Sequence, residues 1–591
     1  MVARFLVWYL CLNLHLHKGS NQFVGTPTDS SRAKFAIQCN ANLMLARVCR
    51  VYAPLRKELV RPPHLPSRHR TRSSMTAAGA AALSPNEQAV AALQPSQLFK
   101  FFAQLSEIPR PSKQEERVLS WLKEFAKARN LETKQDKVGN LVIRRPGSGG
   151  GEQAPTVVIQ GHVDMVCEKN KDTVHDFTKD PIRLVVKGDW LHAQGTTLGA
   201  DNGIGVCTAL ALLDMSPSTA KLPPLECLFT VDEETGLTGA FDIAPDMLEG
   251  RTMLNLDTED WGEIFIGCAG GGDSQLQLTM PIENIGEGMA SSSCQFLVNV
   301  GGLLGGHSGL MIAEGRGNAL IILVRVLRRI QAASAVRVCS LSGGDKRNAL
   351  PREAQAVVVV PNADVPAVQQ AIAQTVEELQ AEYGLLEKDL FVRLDGPTTS
   401  SPLPPNTQAM TADGLQRLCA LLTLLPHGPL KFSHAVPGLV ETSNNLASVT
   451  HSTPAEGGSP IYQVVCSTRS SVMSALEHVR GNIRECGRLV GAEVVQDQAY
   501  PGWQPNPHSA VLEVTKDVYA AQTKHQAKVG AIHAGLECGI IGAKFPGLDS
   551  VSFGPTIRGA HSPDECCQIS TVEPFWQLTL GVLERLADKR L

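Results

Sequence analysis

The chain has 591 residues and a formal net charge of −4, too long for one ordinary core and long enough for two or three domains with a buried site. No apolar run reaches the roughly 18 residues that a membrane helix needs: Arg325 interrupts "ALIILVRVL", and the N-terminal "FLVWYLCLNL" is too short. Charge is uneven, because residues 1–75 carry 12 Lys+Arg against 2 Asp+Glu and the remainder carries 42 against 56, so the acidic body argues against nucleic-acid binding.

Residues 1–92 read as a basic, low-complexity leader. An Arg-rich, acid-poor, Ser-containing stretch has the composition of an organellar transit peptide, whereas a start at Met75, before "TAAGAAALS", leaves a cytoplasmic protein. Cytoplasmic residence is the expectation, with a mitochondrial or plastid address as the alternative. The 15 cysteines are scattered, with no C-x-x-C pair, and read as reduced, mostly buried thiols.

Ordered structure is expected from about Leu93. "LQPSQLFKFFAQLSEIPRPS" predicts a short helix stopped by prolines, and "KQEERVLSWLKEFAKARN" predicts an amphipathic helix with Val118, Leu122, Phe125 and Ala126 on one face. After it, the runs "NLVIRR", "TVVIQ", "LECLFTV" and "TMLNLD" alternate with helical patterns such as "GVCTALALLDM". Runs apolar at successive positions predict strands covered on both faces, hence an α/β sheet. From about Ala269 the pattern changes to strands such as "CQFLVNV" and "AQAVVVV" with long helices, predicting an α+β domain inserted at 270–497 between two parts of the first domain, 93–269 and 498–591.

Chemistry-bearing residues follow the apolar runs. In "TVVIQGHVDMV", His162 and Asp164 lie two apart and point to one side in extended backbone, so Asp164 could fix the second nitrogen of a ligating His162. "TTLGADNGIGV" places Asp201 in a Gly-flanked turn before a helix, "TVDEETG" brings three consecutive carboxylates, "MLNLDTED" ends a strand near Asp257, and "SFGPTIRGAHSPDE" carries His561 in a Gly/Pro-rich loop. Ligands of open α/β sheets collect at the carboxyl ends of strands. Two histidines and at least three carboxylates there suit two cations sharing one ligand, with nitrogen and oxygen donors that fit zinc and permit manganese or cobalt. Within the triplet, Asp232 is expected to face solvent or cap the turn.

In this order, "GHVDMVCEKN", "TTLGADNGIGV", "TVDEETGLTGA", "LNLDTED", "GAIHAGLECGII" and "SFGPTIRGAHSPDE" resemble the aminoacyl-histidine dipeptidases, the Xaa-His or cytosol nonspecific dipeptidases among the co-catalytic di-zinc metallopeptidases. The resemblance runs from about Leu93 to the C-terminus. It implies a zinc-peptidase catalytic domain with a mixed sheet flanked by helices, plus an inserted α+β lid domain that mediates homodimerisation. It implies two zinc ions per chain, one held by His162, Asp201 and Asp257 and the other by Asp201, Glu234 and His561. Asp164 would orient His162, and Glu233 would be the general base. "GGLLGGHSGLMIAEGRGNA" resembles the family's lid motif, which makes His307 an oxyanion donor and Asn318 a substrate contact. "VVCSTRSS" places Arg469 where relatives bind the substrate's free carboxylate, and His533 and Glu537 fall on the wall of the site. The implied activity is hydrolysis of dipeptides, Xaa-His and broader. A related amidohydrolase acting on N-acyl amino acids is the runner-up. An inactive scaffold homologue would be expected to have lost a ligand or the base, and none is missing.

Overall fold

The computed structural model describes residues 83–588 apart from 219–220, 399–401, 405 and 454–457, so most of the basic leader lies outside the described residues. The fold starts earlier than Leu93, with a helix over Pro85–Val90. "SPNE" forms a reciprocal capping box: Glu87 N–H donates to Ser84 Oγ at 3.1 Å and Ser84 N–H donates to Glu87 Oε2 at 3.0 Å. The buried Asn86 side chain ties this helix to the body by donating to Ile182 O at 2.8 Å and accepting from Leu184 N–H at 3.0 Å. The cap signal outweighs the low complexity just before it.

The two helices expected next span Ser96–Ser106 and Glu116–Ala128, each burying one apolar face, in the second case with Val118, Leu122, Phe125 and Ala126. Leu98, Phe99, Phe102 and Leu105 join the core that also buries Ile204, Cys207 and Leu210 of the helix Ala200–Asp214.

The first sheet has eight strands in the order Glu132–Gln135, Leu141–Arg145, Leu225–Thr230, Val157–His162, Thr252–Asn255, Asp549–Ser552, Glu263–Cys268, Lys528–Ile532. Val157–His162 pairs in parallel with Leu225–Thr230 on one side and Thr252–Asn255 on the other, and Asp549–Ser552 continues the parallel block. Every residue of Val157–His162 and Leu225–Thr230 is buried, as the unbroken apolar runs require of strands covered on both faces. A nine-stranded sheet, antiparallel throughout, is built from strands between Gly270 and Val495, and it packs against the helices Ala319–Ala333, Val365–Tyr383 and Met473–Val490. Both sheets lie within one compact unit, Ala81–Leu591. A small four-stranded sheet joins Leu184–Lys187, Trp190–Ala193, Cys566–Gln568 and Ile557–Arg558. It sets the strand preceding the Asp201 turn beside the strand following His561.

Among the described residues, no helix is long and apolar enough to cross a membrane, and the cysteines are free thiols. Phe102 is fully buried, and its ring approaches Gly203 of the site-bearing helix closely enough that an added Cβ there would meet it at 2.9 Å. Phe102→Ala therefore leaves a cavity under that helix and should cost about 3–5 kcal/mol, read as a lower urea midpoint with native circular dichroism retained before the transition.

Candidate active site

Parallel strands point their carboxyl ends the same way, which collects the site on one edge of the eight-stranded sheet. His162 is the last residue of its strand, Glu233 and Glu234 follow Leu225–Thr230, and Asp257 lies two residues beyond Thr252–Asn255. Asp201 sits at the start of the helix Ala200–Asp214 with non-helical backbone angles, φ −80° and ψ 114°. His561 has φ +64° in the loop between Ile557–Arg558 and Cys566–Gln568.

The structure brings five of these side chains together, and their contacts fall into two sets that share Asp201. In one, His162 Nε2 lies 3.1 Å from Asp201 Oδ1 and 3.5 Å from Asp257 Oδ1. In the other, His561 Nε2 lies 3.3 Å from Asp201 Oδ2 and 3.0 Å from Glu234 Oε2. His162, Asp201 and Glu234 can each offer a ligand atom within 4.8 Å of the others, a spacing able to hold a metal ion. Asn202 Nδ2 donates to Asp257 Oδ1 at 2.6 Å and to Leu256 O at 2.7 Å, which fixes the Asp257 carboxylate.

Asp164 does two things from a fully buried position. Its Oδ1 faces His162 Nδ1 at 3.3 Å. The same carboxylate accepts Glu233 N–H at 3.1 Å, Glu234 N–H at 3.2 Å and the Ser112 hydroxyl at 2.8 Å. Asp164 thus anchors the acidic turn to the strand that carries His162. Asp232 does not face solvent: it is buried at φ +50°, and its carboxylate accepts the hydroxyls of Thr235 and Thr238, so it holds the turn from inside.

Electrostatics reflect this crowding. Burial pushes Asp257 up to about 6, against the opposing pull of His162 and reinforced by Asp201 and Glu234. Glu233 is raised well above the usual carboxylate range by burial and by the charges of Asp257, Glu537 and Glu234, which outweigh His162. His561 is held up to about 11 by its hydrogen bonds to Asp201 and Glu234. Burial opposes the charge on His162, but Asp257, Asp164 and Asp201 raise its pKa well above the usual imidazole value. Among the described residues, the positive charge paired with these carboxylates is that of His162 and His561, and a donor set so rich in carboxylates is matched to cations.

A second group lies on the nine-stranded sheet and the segment after Ile532. His307 Nδ1 accepts the N–H groups of Gly309 at 3.2 Å and Leu310 at 3.1 Å, so its Nε2 carries the proton of the neutral ring. Burial and the neighbouring Arg469 hold its pKa down to about 4. Arg469 is buried, makes no ion pair among the described residues, and leaves Nε without a partner; its Nη1 lies 3.4 Å from the Tyr500 hydroxyl. His533 sits beside them, with Nε2 2.7 Å from Ser443 Oγ and its pKa brought to about 3 by burial, Arg469 and His307. Glu537 lies under the strand ends, where Oε2 accepts from Gln160 Nε2 at 2.6 Å and Thr230 Oγ1 at 2.7 Å.

Asn318, expected as a substrate contact, is buried at a helix start. It caps the helix Ala319–Ala333: Oδ1 accepts the N–H groups of Leu320 and Ile321, and Nδ2 donates to Leu446 O at 2.9 Å. Its polar atoms are already spent on the fold, and "GNA" before a long apolar helix is an N-cap signal.

Two buried ions escaped the reading of the sequence. Arg110, in "IPRPS", donates to Val163 O, Asp164 O and Gly199 O. Glu565 lies four residues after His561 and reaches the turn that carries Asp201. Neither stands in a pattern that announces a role, since each acts on backbone far away in sequence.

The description "Peptidase family M20/M25/M40" matches residues 158–585. The cytosol non-specific dipeptidase of Escherichia coli (strain K12) is 38% identical over 498 residues, covering 84% of this chain and 99% of that protein. Among solved structures, aminoacylhistidine dipeptidase from Vibrio alginolyticus is 37% identical with a TM-score of 0.75, covering 84% of this chain and 98% of that one. Aminopeptidase PepT from Bacillus cereus, 14% identical with a TM-score of 0.53 over 84% of this chain and all of that one, shares the fold. The expected α/β peptidase architecture and hydrolase class are borne out, and the chain belongs to peptidase family M20/M25/M40.

Proposed function

We propose that this chain is a metal-dependent dipeptidase that cleaves the peptide bond of Xaa-His and other dipeptides. The observation that carries the reading is Asp201, whose two oxygens each face a different histidine and divide the remaining ligands into two sets. Its support from relatives is 38% identity to a protein named for dipeptide hydrolysis. The donor set is nitrogen and oxygen, carboxylate-rich and free of Lys or Arg ion pairs among the described residues, which fits two divalent cations such as zinc, with manganese or cobalt compatible. His162, Asp201 and Asp257 would hold one and Asp201, Glu234 and His561 the other. Bound there, the cations supply Lewis acidity to the peptide carbonyl and acidity to the attacking water.

The remaining work falls to protein side chains. Glu233 takes the proton from the water and passes it to the leaving amine, from a position next to the ligand Glu234 with its N–H held by Asp164. Asp164 holds His162 and, through the backbone, Glu233 itself. His307 presents Nε2–H to the carbonyl oxygen as that oxygen gains charge. Arg469 pairs bidentately with the substrate's C-terminal carboxylate, the anion its buried guanidinium otherwise lacks. His533 and Glu537 are wall residues of the site. Residues 270–497 act as lid and dimerisation domain, the working enzyme is a cytoplasmic homodimer, and mass spectrometry of the mature N-terminus decides between that address and an organelle.

A panel of Xaa-His and other dipeptides against N-acyl amino acids, run beside metal analysis, tests the whole reading; preferential turnover of acyl amino acids would replace it with the amidohydrolase alternative. Glu233→Ala should keep both metals and lose most of kcat, whereas Glu234→Ala should lose metal first and activity in consequence. Metal depletion in Glu233→Ala would overturn that division. Arg469→Ala should raise KM for free dipeptides and abolish the discrimination against C-terminally amidated ones, while equal losses on both would make the arginine structural. Truncating His307 to Ala should lower kcat by on the order of 10²–10³ with metal content intact, and an unchanged kcat removes it from the reaction.

A further inference from the structure

Glu565 is almost wholly buried, yet it is no ligand of the cluster and no part of the proton path. Its carboxylate gathers four successive backbone donors: Leu198 N–H and Gly199 N–H on Oε2 at 2.8 and 2.9 Å, Ala200 N–H and Asp201 N–H on Oε1 at 2.8 and 3.3 Å. Ala200 and Asp201 open the helix Ala200–Asp214, Gly199 is its N-cap and Leu198 precedes it; N–H groups at a helix start have no partner within the helix, and the dipole there favours an anion. Burial raises the pKa of this carboxyl, and the backbone hydrogen bonds work against that rise. The opposite side of the same turn is held by Arg110, which donates to Gly199 O at 2.5 Å. Gly199 has φ +69°, and a Cβ there would stand 2.4 Å from Arg110 Nη2, so the turn is gripped between guanidinium and carboxylate with no room for a side chain.

What Glu565 joins gives it more than a packing role. It belongs to the loop of His561, folded by Ser562 N–H to Gly559 O and Glu565 N–H to Ser562 O, and it holds the turn of Asp201 more than 360 residues away. One side chain of the His561 loop thereby holds the backbone of the turn whose Asp201 Oδ2 faces His561 Nε2 at 3.3 Å. Asp201 faces His162 with one oxygen and His561 with the other, so where its turn is held decides both separations.

We infer that Glu565 is a positioning residue that sets the geometry of the Asp201–His561–Glu234 cation position by clamping the Asp201 turn to the His561 loop. The inference rests on the metal-dependent reading above. Glu565→Gln keeps the shape but turns an amide NH₂ toward two of the four N–H donors, so those bonds are lost and repulsion takes their place. Zn²⁺ affinity, measured by competition with a chromophoric chelator, should then fall about 10–100-fold at the position that His561 completes and by less at the other, which shares Asp201. Circular dichroism of the metal-free protein checks folding. If Glu565→Gln folds poorly, Glu565→Asp, which keeps the charge but retracts it by one methylene, is measured in its place with the same expected loss. Unchanged Zn²⁺ affinity in the folded variant, with only a lower melting temperature, would make Glu565 a plain fold contact and overturn the inference. Wild-type protein that takes up no Zn²⁺ would instead sink the dipeptidase reading and carry this inference with it.

Discussion

The structure is organised around a repulsion. Asp201, Glu234 and Asp257 converge at the ends of parallel strands, Glu233 stands beside them, and among the described residues the only cationic groups paired with the three convergent carboxylates are the rings of His162 and His561. In water such charges would spread apart; partly desolvated, they do so more strongly. A fold that holds them together must supply fixed partners for the parts of each loop that are not repelled. Arg110, Asp164, Asn202 and Glu565 do this through backbone groups and carboxylate edges rather than through neutralising ion pairs, which leaves the clustered negative charge in place.

Opposite charge is held apart from this cluster. Arg469 projects from the nine-stranded sheet, where Ile461–Ser470 is paired along its length with Gly270–Thr279, and nothing acidic among the described residues pairs with it. Its neighbours His307 and His533 are kept neutral by burial and by Arg469 itself, so the arginine does not compete with two further cations for an incoming anion. In the proposed dipeptidase, Arg469 would take the substrate's carboxylate and the acidic cluster with its cations would face the peptide carbonyl.

Much of this could be read from residue order because the chemistry sits in short motifs at strand ends. His162 with Asp164, the acidic triplet and Asp257 each follow an apolar run, and strand geometry then aims them at one edge. What residue order left open was the hydrogen-bond partner of each polar group. Of the two places expected for Asp232, solvent and the turn, φ +50° and the hydroxyls of Thr235 and Thr238 select the turn. Asn318 was assigned by its likeness to a motif, while the donors that claim it, Leu320 and Ile321, belong to its own helix. Arg110 and Glu565 act across separations that no local pattern reports.

A common device underlies the elements that carry function. Asp164 accepts the N–H groups of Glu233 and Glu234; Glu565 accepts those of the Asp201 turn; Glu387 accepts Leu304 N–H at 2.8 Å and Gly317 N–H at 2.9 Å on either side of His307; Glu115 accepts Asp232 N–H at 3.0 Å. In each case a buried carboxylate from a distant segment grips the loop by its backbone. An apolar contact would hold these loops with less desolvation cost, but it would tolerate sliding, whereas N–H donors converging on one carboxylate fix both position and direction. Loops rich in glycine, such as "LGAD" and "GGLLGGHSG", have backbone donors and few side chains to bury, so backbone gripping is the means left to them. Because any loop exposes N–H groups, the gripped segment carries no sequence mark, and the gripping carboxylate looks like one more acidic residue until the fold shows it buried.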